Sequence, residues 1–177
     1  MTIVPATRAD VDAVAALHLA SWRATYRGIF SDAFLDGPEV LPNRRALWDR
    51  RLAPDFPARR HVALARDDDG ALLGFACVLP DQEPDAGVLL DNLHVHPARK
   101  GQGLGRKLLQ AARAWAGAQE PASPVVLYVF ERNVSAVGFY DRMGGTVVVR
   151  RVSGNPVAGG AVELRYAWPP AHMPAVP

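Results

Sequence analysis

The chain is poor in the features that mark several large protein classes. Its 177 residues include one cysteine, Cys77, so no intrachain disulfide can form. Cys77 lies in the apolar run LLGFACVL, where it reads as a reduced core residue. No apolar run approaches the ~18 residues needed to span a membrane, and no charged-then-apolar leader opens the chain, so a cytoplasmic protein with no membrane partner is expected. An excess of one charge is also lacking. The formal net charge is +2, although the sequence pI is about 9.0, and the basic residues are scattered rather than gathered in a stripe. Nucleic acid is therefore disfavoured as a partner. Asp91, His94 and His96 carry ligand chemistry at nearby positions, but no cysteine or carboxylate cluster supports them, and no metal is expected. No internal repeat is visible. What the chain does have is 49% hydrophobic residues at a length that suits one domain with a substantial core.

The informative stretch is LLDNLHVHPARKGQGLGR, from Leu89 to Arg106. An apolar strand stops at Pro97 and runs into Gly101, Gly103 and Gly105, at every second position. The following residues place Leu104, Leu108, Ala111, Ala112 and Trp115 on one face at helical spacing. A helix opening from such a turn leaves backbone N–H groups without intrahelical partners, all pointing one way, and that arrangement holds a phosphate anion. A plain helix start would use fewer glycines. After Pro121 a second strand, Val125 to Phe130, leads into NVSAVGFYDRMGG, read as a short helix ending at Gly144 or Gly145.

Around this core, Ile3-Val4-Pro5 reads as a strand, and Thr7 to Asp10 resembles a capping box with Asp in place of Glu. Val11, Val14, Ala15, Leu17 and Trp22 mark an amphipathic helix. Residues 31 to 60, interrupted by four prolines, read as an irregular cover with one helix from Arg44 to Leu52. His61 to Arg66 and Ala71 to Leu79 form a hairpin around Asp67-Asp68-Asp69-Gly70. Thr146 to Val152 and Ala161 to Trp168 form a second, before a Pro-rich tail over 169–177 that is expected to fray.

The ordered pair of motifs resembles the GNAT superfamily of acetyl-coenzyme A-dependent N-acetyltransferases. Its signature, Arg or Gln, two residues, Gly, one residue, then Gly or Ala, is matched by Lys100-Gly101-Gln102-Gly103-Leu104-Gly105. Lys100 departs from it by offering a point charge where the family has a planar Arg or an amide. The second signature is matched by Asn133, Ala136, Phe139-Tyr140 and Gly144-Gly145, and SWRATYRGIF extends the likeness toward the start. The resemblance implies an α/β (α+β), GNAT-like fold over residues 1–168: a mixed, mostly antiparallel sheet of about 6–7 strands flanked by about 4 helices. It implies transfer of an acetyl group from acetyl-coenzyme A to an amine, on a small molecule or a peptide, and leaves a homodimer open.

The resemblance also assigns residues. Arg99, Lys100, Gly101, Gln102, Gly103, Leu104, Gly105 and Arg106 would hold the pyrophosphate. Leu93, His94 and Val95 would bind the pantetheine arm along a strand edge, as an added strand would be bound, with Asn133 contacting it too. Asn133 also reads as a helix cap. Tyr140 matches the family's general acid for the departing thiolate, and without that pattern would read as a core tyrosine. For the base, simple alternation puts Leu89, Asp91, Leu93 and Val95 on one face and Leu90, Asn92, His94 and His96 on the other. Asp91 then interrupts an apolar face, either as a buried base with a raised pKa or as a structural carboxylate bonded to amides or an arginine. His94, with its ordinary pKa of ~6.5, is the second candidate, and a water chain the third.

Trp22, Tyr26, Phe30, Phe34 and Trp48 read as an aromatic wall for the acceptor, or as core. Asp81, Glu83 and Asp85 read as a loop attracting a cationic amine, or as solvated surface. A dinucleotide module fits poorly, since the spacing here is GxGxG rather than GxGxxG. A non-catalytic acyl-coenzyme A sensor would keep both motifs.

Overall fold

The computed structural model of the protein describes residues 1–83 and 85–170, so residues 171–177 of the expected tail lie outside the described residues. Seven strands form one sheet: β1 Thr2–Pro5, β2 His61–Arg66, β3 Leu72–Leu79, β4 Val88–Val95, β5 Val125–Phe130, β6 Thr146–Val152 and β7 Val162–Trp168. Their spatial order is β1-β2-β3-β4-β5-β7-β6. Only β4 and β5 run parallel; the other neighbouring pairs are antiparallel. Among the described residues five α-helices accompany the sheet: α1 Val11–Thr25, α2 Asp32–Leu35, α3 Val40–Leu52, α4 Leu104–Gln119 and α5 Val134–Arg142. The mixed, mostly antiparallel α/β sheet is as expected.

The elements form for local reasons. Asp10 accepts hydrogen bonds from the Thr7 amide at 2.7 Å and the Thr7 hydroxyl at 3.0 Å, fixing the chain just before α1. The β2–β3 turn closes with Gly70 at φ +83° and with Asp67 Oδ1 accepting from the Ala71 amide at 2.8 Å. The cover over residues 31 to 60 is more ordered than its prolines suggest. Ser31 caps α2, accepting from the Phe34 amide at 3.2 Å. α3 starts at Val40 rather than Arg44, because Pro42 falls in its first turn, where the missing N–H has no helical carbonyl to meet.

Two apolar layers sandwich the sheet. On one face Leu104, Leu108, Leu109 and Ala112 of α4, with Tyr140 of α5, pack on Ala76, Val78, Val88 and Leu90. On the other, Val14, Ala15 and Leu17 of α1 and Trp48 and Leu52 of α3 pack on Leu64, Phe75 and Cys77. Trp48 is fully buried there, so it belongs to the core and not to an acceptor wall.

The register of β3 and β4 corrects the alternation expected for β4. Val78 faces Leu90, but Cys77 faces Asn92, which leaves Asp91 as an extra residue in a β-bulge. Leu90 thus shares the α4 face with Leu93 and Val95, while Asn92 and His94 lie opposite Cys77 and Phe75 on the α1 face. Inserting one residue reverses the alternation beyond it, so Asp91 does not sit on the Leu93–Val95 face.

Gly87, immediately before β4, has φ +122°, and a Cβ there would collide with the Pro124 oxygen that accepts the Val88 amide. Gly87→Ala should therefore lower the unfolding free energy by about 2–3 kcal/mol, through a forbidden backbone angle and a lost β4–β5 contact. Gly70→Ala, where a Cβ meets nothing within 4 Å, should cost only about 1 kcal/mol in the same urea titration.

Candidate active site

β4 ends at Val95 and the chain turns over Pro97–Arg99, with His96 Nδ1 accepting from the Ala98 amide at 3.3 Å. Gly101 at φ +79° and Gly103 at φ +77° then reverse it into α4, with Gly103 as the left-handed cap. Among the described residues, the amides of 101 to 106 donate no hydrogen bond to another backbone group. A Cβ on Gly101 or Gly103 would meet nothing within 4 Å, so the space beside these two positions is open. Gly105 differs: a Cβ there would lie 3.4 Å from the Phe139 ring of α5, an ordinary van der Waals contact. Arg99, Lys100 and Arg106 surround the turn, joined by Arg142 of α5, and Lys100 Nζ donates to Thr25 Oγ1 at 3.3 Å. Unpaired amides, a helix N-terminus and cations converge on one anion-sized opening.

Beside this turn the sheet opens. β4 and β5 pair only at Val88–Val125 and Leu89–Val126, and beyond the Asp91 bulge the strands separate. The main-chain groups that Leu90 to Val95 turn toward β5 therefore lack a strand partner. The gap forms a cavity of about 560 Å³ that runs from the glycine turn to the end of α1. Leu93, His94 and Val95 lie along it, as do Gly101, Gly103, Leu104 and Gly105 of the turn. Gln102 does not line it.

The side chains at the far end come from several elements. Trp22, Tyr26 and Phe30 at the end of α1 line the cavity, while Phe34 stands behind them against Trp22 and Phe30. Ala158 of the β6–β7 loop packs into that aromatic cluster, and Asn155 of the same loop reaches the cavity. Ser21, Thr25, Asn155 and the β5 residues Leu127 to Phe130 were not anticipated; only the alternation of a splayed strand or the long SGNPVAGG loop could have hinted at them.

Tyr140 lines the cavity and is 7% exposed. α5 holds it in place because Trp168 Nε1 donates to the Met143 carbonyl at 2.9 Å and the Tyr166 hydroxyl donates to Asp141 at 2.6 Å. Burial, with Tyr26 nearby, raises the Tyr140 pKa, so the phenol keeps its proton at neutral pH. Asn133 also lines the cavity while capping α5, its side chain accepting from the Ala136 amide at 3.3 Å. The capping reading of Asn133 and its place in the cavity hold together.

Of the two base candidates, Asp91 is bound to Arg51 Nη1 at 2.5 Å, and that same nitrogen donates to Asn92 Oδ1 at 2.8 Å. This is the arginine-bonded carboxylate, set by the bulge where it meets Arg51 of α3 while still lining the cavity. His94 lies at 2.9 Å from Ser21 Oγ through Nδ1 and packs against the His18 ring. Burial, reinforced by Lys100 and Arg44, pushes its pKa down to about 3. The acidic loop lies away from the cavity. Asp81 is matched to Arg59, Glu83 accepts from the Tyr128 hydroxyl at 3.3 Å, and none of Asp81, Glu83 and Asp85 lines the opening.

A model of the Acetyltransferase (GNAT) family matches residues 19–145. The chain belongs to this family. It is 37% identical over 115 residues to a mycothiol acetyltransferase of Salinispora tropica, a match that takes in 63% of this chain and 37% of that protein. The chain thus spans about two-fifths of the length of that relative. An uncharacterized N-acetyltransferase of Bacillus subtilis is 29% identical over 143 residues, covering 79% of this chain and 77% of its own. Among solved structures, the PaiA N-acetyltransferase of Thermoplasma acidophilum in complex with coenzyme A superposes with a TM-score of 0.72 at 19% identity. That alignment covers 95% of this chain and 100% of the other, and it supports the fold. Among the described residues no helix is long and apolar enough to cross a membrane.

The buried histidines of this GNAT protein set a pH dependence. His18 and His94 both have folded pKa values below the ordinary 6.5, so below that pH the unfolded chain binds more protons than the native one. Stability should be level between about pH 7 and 8 and fall as pH drops from 6.5 toward 5, by about 1.4 kcal/mol per pH unit for each histidine once the unfolded form is protonated. Urea unfolding of His94→Asn between pH 7 and 5 should show a shallower decline than the parent chain, and an equal decline would contradict the assignment.

Proposed function

We propose that the protein transfers the acetyl group of acetyl-coenzyme A directly to an amine acceptor. The observation that carries this reading is the glycine turn with its unpaired amides at the mouth of a gap between β4 and β5, with Tyr140 in the same cavity. Acetyl-coenzyme A, as substrate, brings a thioester. The amides of 101 to 106 with Arg99, Lys100 and Arg106 suit its pyrophosphate. The unpaired edge of Leu93 to Val95 suits the amides of its pantetheine arm, with Asn133 on the opposite wall.

Transfer makes an N–C bond and breaks a C–S bond; the amine gives up a proton and the departing sulfur gains one. Tyr140, kept protonated by burial, donates to the sulfur and regains its proton from solvent. The amine's proton has no strong base to meet. Asp91 is held by Arg51, and His94 binds a proton only weakly, so we assign both to a polar path that passes the proton to water. Trp22, Tyr26 and Phe30 form the acceptor's wall. Direct transfer, rather than an acyl-enzyme, suits a chain whose one cysteine is fully buried with its pKa pushed up to about 12. A reduced, buried Cys77 also suits the cytoplasm.

Tyr140→Phe should lower kcat by about 10²-fold while changing coenzyme A affinity less than twofold; unchanged turnover would remove Tyr140 from the chemistry. Gly103→Val should cost at least tenfold in coenzyme A affinity by calorimetry, because its side chain would fill the open side of the turn, while circular dichroism stays that of the parent. Normal binding would mean that the turn does not hold the pyrophosphate.

A further inference from the structure

Among the described residues that line the cavity, no side chain is free to take a proton from an ammonium. The basic side chains around the glycine turn are cations, and burial keeps the phenols of Tyr26 and Tyr140 protonated, Tyr26 with its pKa pushed up to about 12. The Tyr128 hydroxyl donates to Glu83 at 3.3 Å. Asp91 and His94 remain, and both are engaged. Arg51 holds the Asp91 carboxylate at 2.5 Å, so a ligand meets a charge that is already matched. His94 is bonded through Nδ1 to Ser21 at 2.9 Å, and burial, with Lys100 and Arg44 nearby, leaves it binding a proton only weakly. Packed on His94 is His18 of α1, itself kept uncharged by burial. The Trp22 ring, which could attract a cation, already carries the Arg44 guanidinium 4.4 Å from its centre.

An ammonium brought to this end would lose water without gaining an unmatched carboxylate, and nothing beside it would accept its proton. We infer that the acceptor is a weakly basic amine, of the α-amino kind rather than the lysine or polyamine kind, and that it enters as the free base. This rests on the acetyltransferase reading and narrows its substrate class. The magnitudes are large: at about pH 7.5 an α-amino group of pKa ~7.8 is about one-third neutral, whereas an alkylamine of pKa ~10.4 is neutral in about one molecule per thousand. The neutral nitrogen attacks the thioester carbonyl, the N–C bond forms and the C–S bond breaks. Sulfur takes the Tyr140 proton, and the nitrogen, cationic once bonded to carbon, gives its own to water. The inference also replaces the expectation of a cationic amine drawn in by Asp81, Glu83 and Asp85, none of which lines the cavity.

The test is thiol release from acetyl-coenzyme A between about pH 6 and 9, with 2-phenylethylamine and 2,2-difluoro-2-phenylethylamine as acceptors. The two are nearly equal in size and suit the aromatic wall, but the fluorines withdraw electrons and lower the basicity of the nitrogen. For each amine kcat/KM should rise about tenfold per pH unit below that amine's own pKa, and for the fluorinated one it should level off above it. At about pH 7 the fluorinated amine should lead by about tenfold, and lysinamide should be acetylated on its α nitrogen before its ε nitrogen. Arg51→Met, which frees the Asp91 carboxylate to receive an ammonium, should cut that lead by at least about threefold. Profiles that break at one shared pH for both amines would place the proton on a protein base and overturn the inference, as would a lead that is absent or that survives Arg51→Met unchanged. No thiol release from any amine, even the fluorinated one at about pH 9 where it is neutral, would instead sink the acetyltransferase reading itself.

Discussion

The organisation of this protein depends on a failure of strand pairing. β4 and β5 begin as parallel neighbours, yet after Leu89 and Val126 they part. A parallel ladder continued for the full length of β5 would occupy the backbone groups of Leu90 to Val95 and leave no volume between the strands. The bulge at Asp91 bends β4 and re-aims the residues after it. From that one irregularity follow the cavity, the unpaired strand edge and the position of the glycine turn at its rim. The start of the pair is held firmly, by the Val88 amide on the Pro124 carbonyl at 2.9 Å, so the separation is placed rather than diffuse.

The electrostatics of the cavity follow from its two ends. At the turn, backbone amides and three basic side chains face a shared space, a setting in which charge-assisted hydrogen bonds are strong because competing water is reduced. At the other end the two candidate bases are engaged in different ways. An ion pair with Arg51 occupies Asp91, and desolvation disfavours the charged form of His94. The same desolvation has the opposite use at Tyr140, where disfavouring the phenolate preserves a donor. Burial of Tyr140 and His94 in one site thus keeps the phenol protonated and the imidazole neutral.

The residues from Leu89 to Tyr140 were the most legible part of the chain. Alternate glycines after a strand, an amphipathic run after them and an Asn at the start of the next helix are local signals. Each maps onto the backbone angle or cap that it serves, as at Gly103 and Asn133. The hairpins and α1 were equally plain. Less legible was the segment from residue 31 to 60, because its prolines suggested breaks, whereas Pro42 falls in the one helical turn that tolerates it. Trp48 looked much like Trp22 from composition alone, yet one is core and the other lines the cavity.

The amino-acid order by itself determined the succession of strands and helices, the glycine turn and the family, because these depend on spacings of a few residues and on the torsional freedom of glycine. Tertiary structure alone decided which face each β4 side chain takes, since a bulge is a mismatch between two strands and neither strand carries it alone. It also decided that Asp91 meets Arg51 from 40 positions away and that the β6–β7 loop closes the aromatic end. Charge pairing and desolvation depend on what the fold brings near, and distance along the chain does not encode that.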